Sequence, residues 1–379
     1  MMYTLMNKDV PLIDFHWERD VFTGWREHID KVYLQPWFIR DFHTWLEYRS
    51  ITKHREHMDT LLSSLGLRDT KGIIDFSKGL SLTDTLWVNQ DDKYTWDKVN
   101  LFDNEFDEVI EKIAFDGGMY GQHFSTTSPE FGTNGTYAKC WHREEDGKIY
   151  LYKQGSSGAA NAGKEVYSEM YASQILDILG YNHARYDIIK YRGHLVSRCE
   201  LFTTKSEMLL PVEVFAVDKR FEFEDLVDIC RKNGMIAQLS EYLITDALIL
   251  NEDRHFGNFG VICDADTFEI KGMAPIYDNG VSLLCYYHVD PRYPASNPGT
   301  MLEYATTRYP RLYRDFISGA KEIATSEQLS HLKVLNGFKF DTSGNYNLPK
   351  DRVEQLEEIV QIQVDHLLNE AKNCNSRWD

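Results

Sequence analysis

The apolar positions of this chain change period several times, and each change marks an element. Residues 239–250 run Leu239-Ser240-Glu241-Tyr242-Leu243-Ile244-Thr245-Asp246-Ala247-Leu248-Ile249-Leu250. Apolar side chains at that spacing predict a buried helix ending at Asn251. Residues 259–264 and 268–273 then read as hairpin strands turned at Ala265-Asp266-Thr267. Upstream, 136–142 and 148–153 alternate about a turn at 143–147, and 186–191 and 194–199 do the same about Arg192-Gly193. A helix is predicted from near Gly163 through Val166, Met170, Tyr171, Ile175, Leu176 and Ile178 to a terminal Gly180. Residues 54–65 form a candidate amphipathic helix with Met58, Leu61, Leu62 and Leu65 on one face. Residues 351–372 close the chain as a helix with Val353, Leu356, Ile359, Val360, Val364, Leu367 and Leu368 on its apolar side.

The polar residues at the ends of these elements suggest chemistry. Behind the helix at 239–250 stands Asn251-Glu252-Asp253-Arg254-His255-Phe256-Gly257-Asn258, and behind the following hairpin stands Pro275-Ile276-Tyr277-Asp278. Phosphoryl transfer needs positioned Mg²⁺ and a carboxylate that orients an incoming hydroxyl and takes its proton. Asp253 fits the carboxylate role. Mg²⁺ prefers hard oxygen ligands and takes few of them from the protein, and Asn258 and Asp278 offer one amide oxygen and one carboxylate. A hairpin that returns beside its start brings Asp278 back to Asn258. Either half alone is an ordinary loop sequence; the two in this order point to a nucleotide-dependent kinase.

Residues 251–258 with 275–278 resemble the HipA-like kinases, bacterial Ser/Thr kinases distantly related to eukaryotic protein kinases and phosphoinositide kinases. The order Asp-Arg-His is shared with the lipid-kinase-like branch, so it does not separate the two. The resemblance implies an α+β, two-lobed protein-kinase-like fold with a small β-rich ATP lobe, a helical C-lobe and an extra N-terminal segment. It implies that Asp253 is the catalytic base and that Asn258 and Asp278 hold Mg²⁺. Lys153, at the end of the second upstream strand, becomes the lysine that meets the ATP phosphates. Glu169, on the helix after it, becomes that lysine's partner, with Glu165 one turn earlier as a competitor. A lysine held in this way stays protonated and fixed over the phosphates. Gly132 and Gly135 in the loop at 131–136 are candidates for covering the phosphates, because glycine lets backbone N–H groups approach oxygens closely. Glu200 and Phe202 are candidates for the hinge that meets adenine. In some members a serine of the glycine loop is autophosphorylated, and Ser125, Thr126, Thr127, Ser128, Thr133 and Thr136 are the hydroxyls available here.

Composition narrows the class. The 379 residues are 42% hydrophobic and 13% aromatic, which excludes a largely disordered chain. No apolar run is long enough to span a bilayer, and acidic residues close behind Met1 do not suit a signal peptide, so a cytoplasmic protein is expected. Six scattered cysteines without Cys-x-x-Cys spacing read as buried thiols. The net charge of −18, without a basic stripe, argues against direct nucleic-acid binding. The chain then divides into three regions: residues 1–120 as an accessory domain, packed to judge by Trp17, Trp25, Trp37, Trp45, Trp87 and Trp96; 121–203 as the ATP-binding lobe; and 204–379 as the helical catalytic lobe. The first region differs from the subdomain with which the best-known HipA proteins engage a DNA-binding antitoxin, so an antitoxin partner stays an open expectation rather than one the motifs imply. The reading is an ATP- and Mg²⁺-dependent Ser/Thr protein kinase, toxin-like or signalling, whose protein substrate has no signature in the sequence. The alternatives are a lipid or small-molecule kinase and a non-catalytic nucleotide-binding module.

Overall fold

The computed structural model describes residues 1–20, 24–50, 56–118, 128–133, 135–216 and 221–369. Its strands are β1 (Tyr3–Asn7), β2 (Val10–Asp20), β3 (Gly24–Val32), β4 (Leu86–Gln90), β5 (Lys139–Arg143), β6 (Ile149–Gln154), β7 (Tyr186–Tyr191), β8 (His194–Glu200), β9 (Glu207–Pro211), β10 (Gly260–Asp264) and β11 (Ile270–Met273). The chain divides into two compact units built from non-contiguous segments. One comprises Met1–Lys153, Glu200–Leu210 and Ile262–Lys271; the other comprises Gln154–Cys199, Pro211–Val261 and the chain from Gly272 onward.

In the first unit an antiparallel sheet runs β3-β2-β1-β4. Its central strand β1 is buried throughout, and Tyr3, Phe15 and Trp17 pack as an aromatic cluster. Of the tryptophans expected to pack, Trp17, Trp87 and Trp96 are buried, whereas Trp25 and Trp37 keep 40% and 37% of their surface exposed. The amphipathic candidate at 54–65 is a helix over Met58–Leu65, with residues 51–55 outside the described residues. Its apolar face joins Ile73, Ile110, Ile113 and Phe131 in one cluster. The segment after Leu80 braces the chain beyond β8. Leu82 O accepts from Thr203 Oγ1, and Thr83 O accepts from Leu209 N at 2.7 Å. A buried ion pair between Arg49 and Asp84 fixes the same segment from behind.

β5 and β6 form the expected hairpin, in a register that sets Lys139 opposite Lys153. β10 and β11 form another, which β9 joins in the order β11-β10-β9; β9 was not expected from the sequence. The β10–β11 turn is organised by Asp264, whose Oδ1 accepts from the Asp266 and Thr267 amides at 3.0 Å each. Those two bonds, and then Lys271, pull the Asp264 carboxyl down to about 2 from an ordinary 3.8. A depressed carboxylate contributes stability that is complete above its unfolded pKa and is lost as pH falls through the folded value. The turn should therefore hold down to pH 4 and loosen only towards pH 2. Carbon-detected NMR titration of Asp264 should show a midpoint near 2; a midpoint near 3.8 would contradict this account of the turn.

In the second unit, β7 and β8 pair in the register Tyr186↔Cys199 to Tyr191↔His194. Helix Glu165–Leu179 ends at Gly180, which adopts φ 66°, the left-handed backbone that a helix stop favours. Helix Ile236–Ile249 is the core of this unit, and Leu239, Leu243, Ile244, Ala247, Leu248 and Ile249 are fully buried. Each such leucine or isoleucine contributes about 1.5–3 kcal/mol on burial. That anchorage fixes the direction of the loop after the helix. The closing helix runs Lys350–Asn369; the expected end at Lys372 lies outside the described residues. All five cysteines among the described residues are buried thiols outside any disulfide.

Candidate active site

The loop of interest begins where helix Ile236–Ile249 stops at Leu250, in left-handed conformation with φ 52°. The Asn251 amide still reaches Asp246 O at 3.1 Å, and Asn251 Oδ1 accepts from Asp253 N at 3.1 Å. That side-chain turn fixes the backbone of Asp253. At the other end, Asn258 Nδ2 donates to Asp253 O at 3.1 Å, which closes the loop on itself. With its nitrogen used in this way, the Asn258 amide presents its oxygen as the remaining ligand. Between them His255 Nδ1 accepts from Gly257 N at 3.1 Å, so the proton of a neutral His255 resides on Nε2.

Arg254 is fully buried and all five of its N–H groups are used. Nε and Nη2 meet the Asp246 carboxylate at 3.0–3.2 Å. Nη1 donates to Asn258 O at 3.1 Å and to Tyr277 O at 2.6 Å, and Nη2 also donates to Asn279 Oδ1 at 2.7 Å. One guanidinium thus joins the helix, the Asp253–Asn258 loop and the residues on both sides of Asp278. Desolvation works against its charge, but Asp246 more than offsets that and holds Arg254 above its ordinary value. Tyr277 Oη adds a bond to Gly257 O at 3.0 Å.

Asp278 adopts φ 56°, an uncommon backbone for a residue with a side chain and one that clusters at functional positions. Its amide donates to Tyr186 Oη at 3.4 Å. Burial pushes the Tyr186 phenol far above its ordinary value, so a neutral hydroxyl stands beside Asp278. The next amide, Asn279 N, donates to Glu169 Oε2 at 2.8 Å; Glu169 is 1% exposed. Glu165 has other work, accepting from Ser156 N at 3.2 Å and holding the start of the 155–163 loop. Asp253, by contrast, points outward: its side chain is 44% exposed and meets Arg311 Nη1 at 2.8 Å. Within the second unit the structure therefore gathers Asp253, Asn258, Asp278 and Glu169 into one connected network.

The remaining candidates belong to the first unit. Lys153 is 8% exposed and directly faces Lys139, 5% exposed, across the β5–β6 hairpin; its ammonium is 6.0 Å from the Tyr137 ring. Two lysines on one face suit a polyanionic ligand. Gly135 has φ 107°, a backbone that side-chain-bearing residues rarely adopt, and lies against the Lys139 ammonium. Gly132 is used differently: it closes a short 3-10 turn, Pro129–Gly132, and a Cβ would meet Leu80 O at 2.8 Å. Glu200 is exposed at the end of β8 and pairs with Lys148 at 2.8 Å. Phe202 is half-buried, one residue past Leu201, whose amide donates to Ile149 O at 2.8 Å. Of the candidate hydroxyls, Ser125, Thr126 and Thr127 lie outside the described residues. Ser128 caps the 3-10 turn, and Thr133 Oγ1 donates to Pro129 O.

The sequence reading missed Arg254, Asn279, Lys139 and Arg311. A signal existed for two of them. Asp246 has apolar residues one turn away on both sides, at Tyr242, Leu243, Ile249 and Leu250, so a carboxylate there calls for a buried cation. Lys139 follows from the hairpin symmetry that sets Lys153 opposite it. Nothing in the sequence marked Arg311.

No family model and no curated protein matches the chain. Among solved structures, HipA of Shewanella oneidensis, in a toxin–antitoxin complex with HipB and operator DNA, superposes with a TM-score of 0.55 at 11% identity, over 98% of this chain and 100% of that one. The Helicobacter pylori proinflammatory kinase CtkA gives a TM-score of 0.47 at 16% identity, over 62% of this chain and 94% of that one. The chain has the HipA-like, kinase-type α+β fold.

Proposed function

We propose that this chain transfers the γ-phosphoryl group of ATP to a serine or threonine hydroxyl of a protein. The observation that supports the reading is the Arg254 node, whose N–H groups hold Asn258 O, Tyr277 O and Asn279 Oδ1 and so tie the loop that carries Asp253 and Asn258 to the turn that carries Asp278. In this mechanism Asp253 orients the acceptor hydroxyl and takes its proton on a carboxylate oxygen as the new O–P bond forms. The bond from the γ-phosphorus to the β–γ bridging oxygen breaks, and ADP leaves. The donor set at Asn258 and Asp278, one amide oxygen freed by the bond to Asp253 O and one carboxylate, fits a hard divalent cation. When bound, Mg²⁺ supplies charge neutralisation at the phosphates. Lys139, Lys153 and Gly135 are assigned to the phosphates, and Glu200 and Phe202 to the adenine edge. No helix among the described residues is long and apolar enough to cross a membrane. The HipB-bound state of the Shewanella neighbour supports an antitoxin-type partner as a further part of the proposal.

Calorimetric titration with Mg-ADP tests the binding half. The wild type should bind, and Asp278→Asn should weaken binding about tenfold or more in Mg²⁺ while changing it little in EDTA, because the lost carboxylate acts through the cation. Equal affinity of both proteins in Mg²⁺ would remove Asp278 from the metal site.

A further inference from the structure

The segment between helices Met301–Thr306 and Phe316–Ile323 carries Arg308, Arg311 and Arg314, and no acidic residue lies between Glu303 and Asp315. In a chain of net charge −18 this is a local concentration of positive charge beside the Asp253 loop. Both ends of the segment are fixed. Arg308 donates to Glu252 Oε1 and Tyr304 Oη at 3.0 Å each and lies 3.9 Å over the Tyr304 ring. Pro310 is buried, and Asp315 caps the following helix through Ser318 N at 2.8 Å.

Arg311 differs from Arg308. Its side chain is 56% exposed and, among the described residues, makes one hydrogen bond, Nη1 to Asp253 Oδ1 at 2.8 Å. An ion pair this exposed is worth about 0–1 kcal/mol and exchanges readily. A guanidinium has five N–H groups in a fork that matches carboxylate and phosphate oxygens. One oxygen of the proposed base, Asp253 Oδ1, is thus engaged by a cation.

We infer that Arg311 selects acceptors carrying an anionic group beside the hydroxyl: the anion takes the Arg311 guanidinium from Asp253, and the carboxylate so released receives the hydroxyl. The inference rests on Asp253 being the base. It makes Arg311 both a latch and a specificity residue, and it gives the substrate class as an acidic or already phosphorylated segment. The phosphoryl transfer makes and breaks the same bonds with or without this exchange; Arg311 only changes its hydrogen-bond partner.

The test uses the full chain and three serine peptides of identical length, flanked by glutamates, by glutamines, or by glutamines with one phosphoserine. With Mg-ATP, the wild type should favour the glutamate peptide over the glutamine peptide about tenfold or more in kcat/KM, mainly through KM, as one charge-assisted contact warrants. Arg311→Gln should erase that preference and raise kcat on the glutamine peptide, because Asp253 is no longer engaged. A variant that slows both peptides alike, or one that keeps the preference, overturns the inference. The phosphoserine peptide separates the two anion sources: a larger preference than for glutamate assigns a phosphate, and an equal or smaller one assigns a carboxylate.

Fluorescence anisotropy of the same peptides, with Mg²⁺ and a non-hydrolysable ATP analogue, reads the contact without turnover. Tighter binding of the glutamate peptide by the wild type, lost in Arg311→Gln, supports the contact even if no phosphoryl transfer is detected, an outcome that would sink the kinase reading alone. Equal binding of glutamate and glutamine peptides by the wild type overturns the inference.

Discussion

Replacing Asp253 with Asn should slow phosphoryl transfer by about 10²–10⁴-fold, the range supplied by a positioned general base. Asparagine keeps the shape and the Asn251 bond to the backbone amide of residue 253, but it cannot take the hydroxyl proton. The fold should be almost unaffected. The side chain is 44% exposed and its one ion pair, with Arg311, is of the surface kind. Nucleotide affinity should also persist, because Asp253 is not among the residues assigned to phosphate or metal. Initial rates, thermal unfolding and Mg-ADP titration of the variant separate these three expectations. A variant that lost stability and activity together would show that Asp253 serves the loop rather than the chemistry.

Arg254→Met should have the largest effect on stability, about 3–5 kcal/mol, because it leaves the fully buried Asp246 carboxylate without its cation. Methionine matches much of the volume of the arginine stem and can still lie against the Tyr242 and Phe259 rings, which are 5.2 and 5.8 Å from the guanidinium. The loss is therefore mainly electrostatic. Pairing the change with Asp246→Leu should recover much of the stability, since apolar replacement of a buried ion pair is often neutral. Activity should not return with it. Asn258 O, Tyr277 O and Asn279 Oδ1 would still lack the donors that tie the two halves of the site together. Urea denaturation of the wild type, single and double variants gives the stability part. If the single variant unfolds within about 1 kcal/mol of the wild type, the node does not have the role assigned to it.

The elements at the site were legible because each rests on a local pattern with a physical cause. Helix Ile236–Ile249 is apolar at helical spacing, and the β10–β11 hairpin turns on an aspartate that satisfies two amides by itself. Other features depend on distant residues and leave no local trace. Arg254 follows an aspartate in a loop, where such pairs usually lie on the surface; its complete burial depends on Asp246, Tyr277 and Asn279 arriving from other elements. Gly132 looked like part of a phosphate loop because a glycine's purpose is invisible in sequence. Here it has the backbone of Leu80 pressed against it. Reading along the chain also could not show that 200–210 and 262–271 join the first compact unit, since their partners lie far away in sequence: Asn7 Nδ2 donates to Ala265 O, and Thr203 to Leu82 O.

The central claim is that the residues gathered around Arg254 perform phosphoryl transfer. Intact-mass spectrometry of the purified wild type and of Asp253→Asn, each incubated with Mg-ATP and a mixture of serine peptides, tests it most directly. The account predicts a phosphate-sized gain on a peptide or on the chain itself with the wild type, and about a hundredth of it or less with the variant at equal time. An equal gain with both proteins would contradict it, as would no gain with a wild type that binds Mg-ADP.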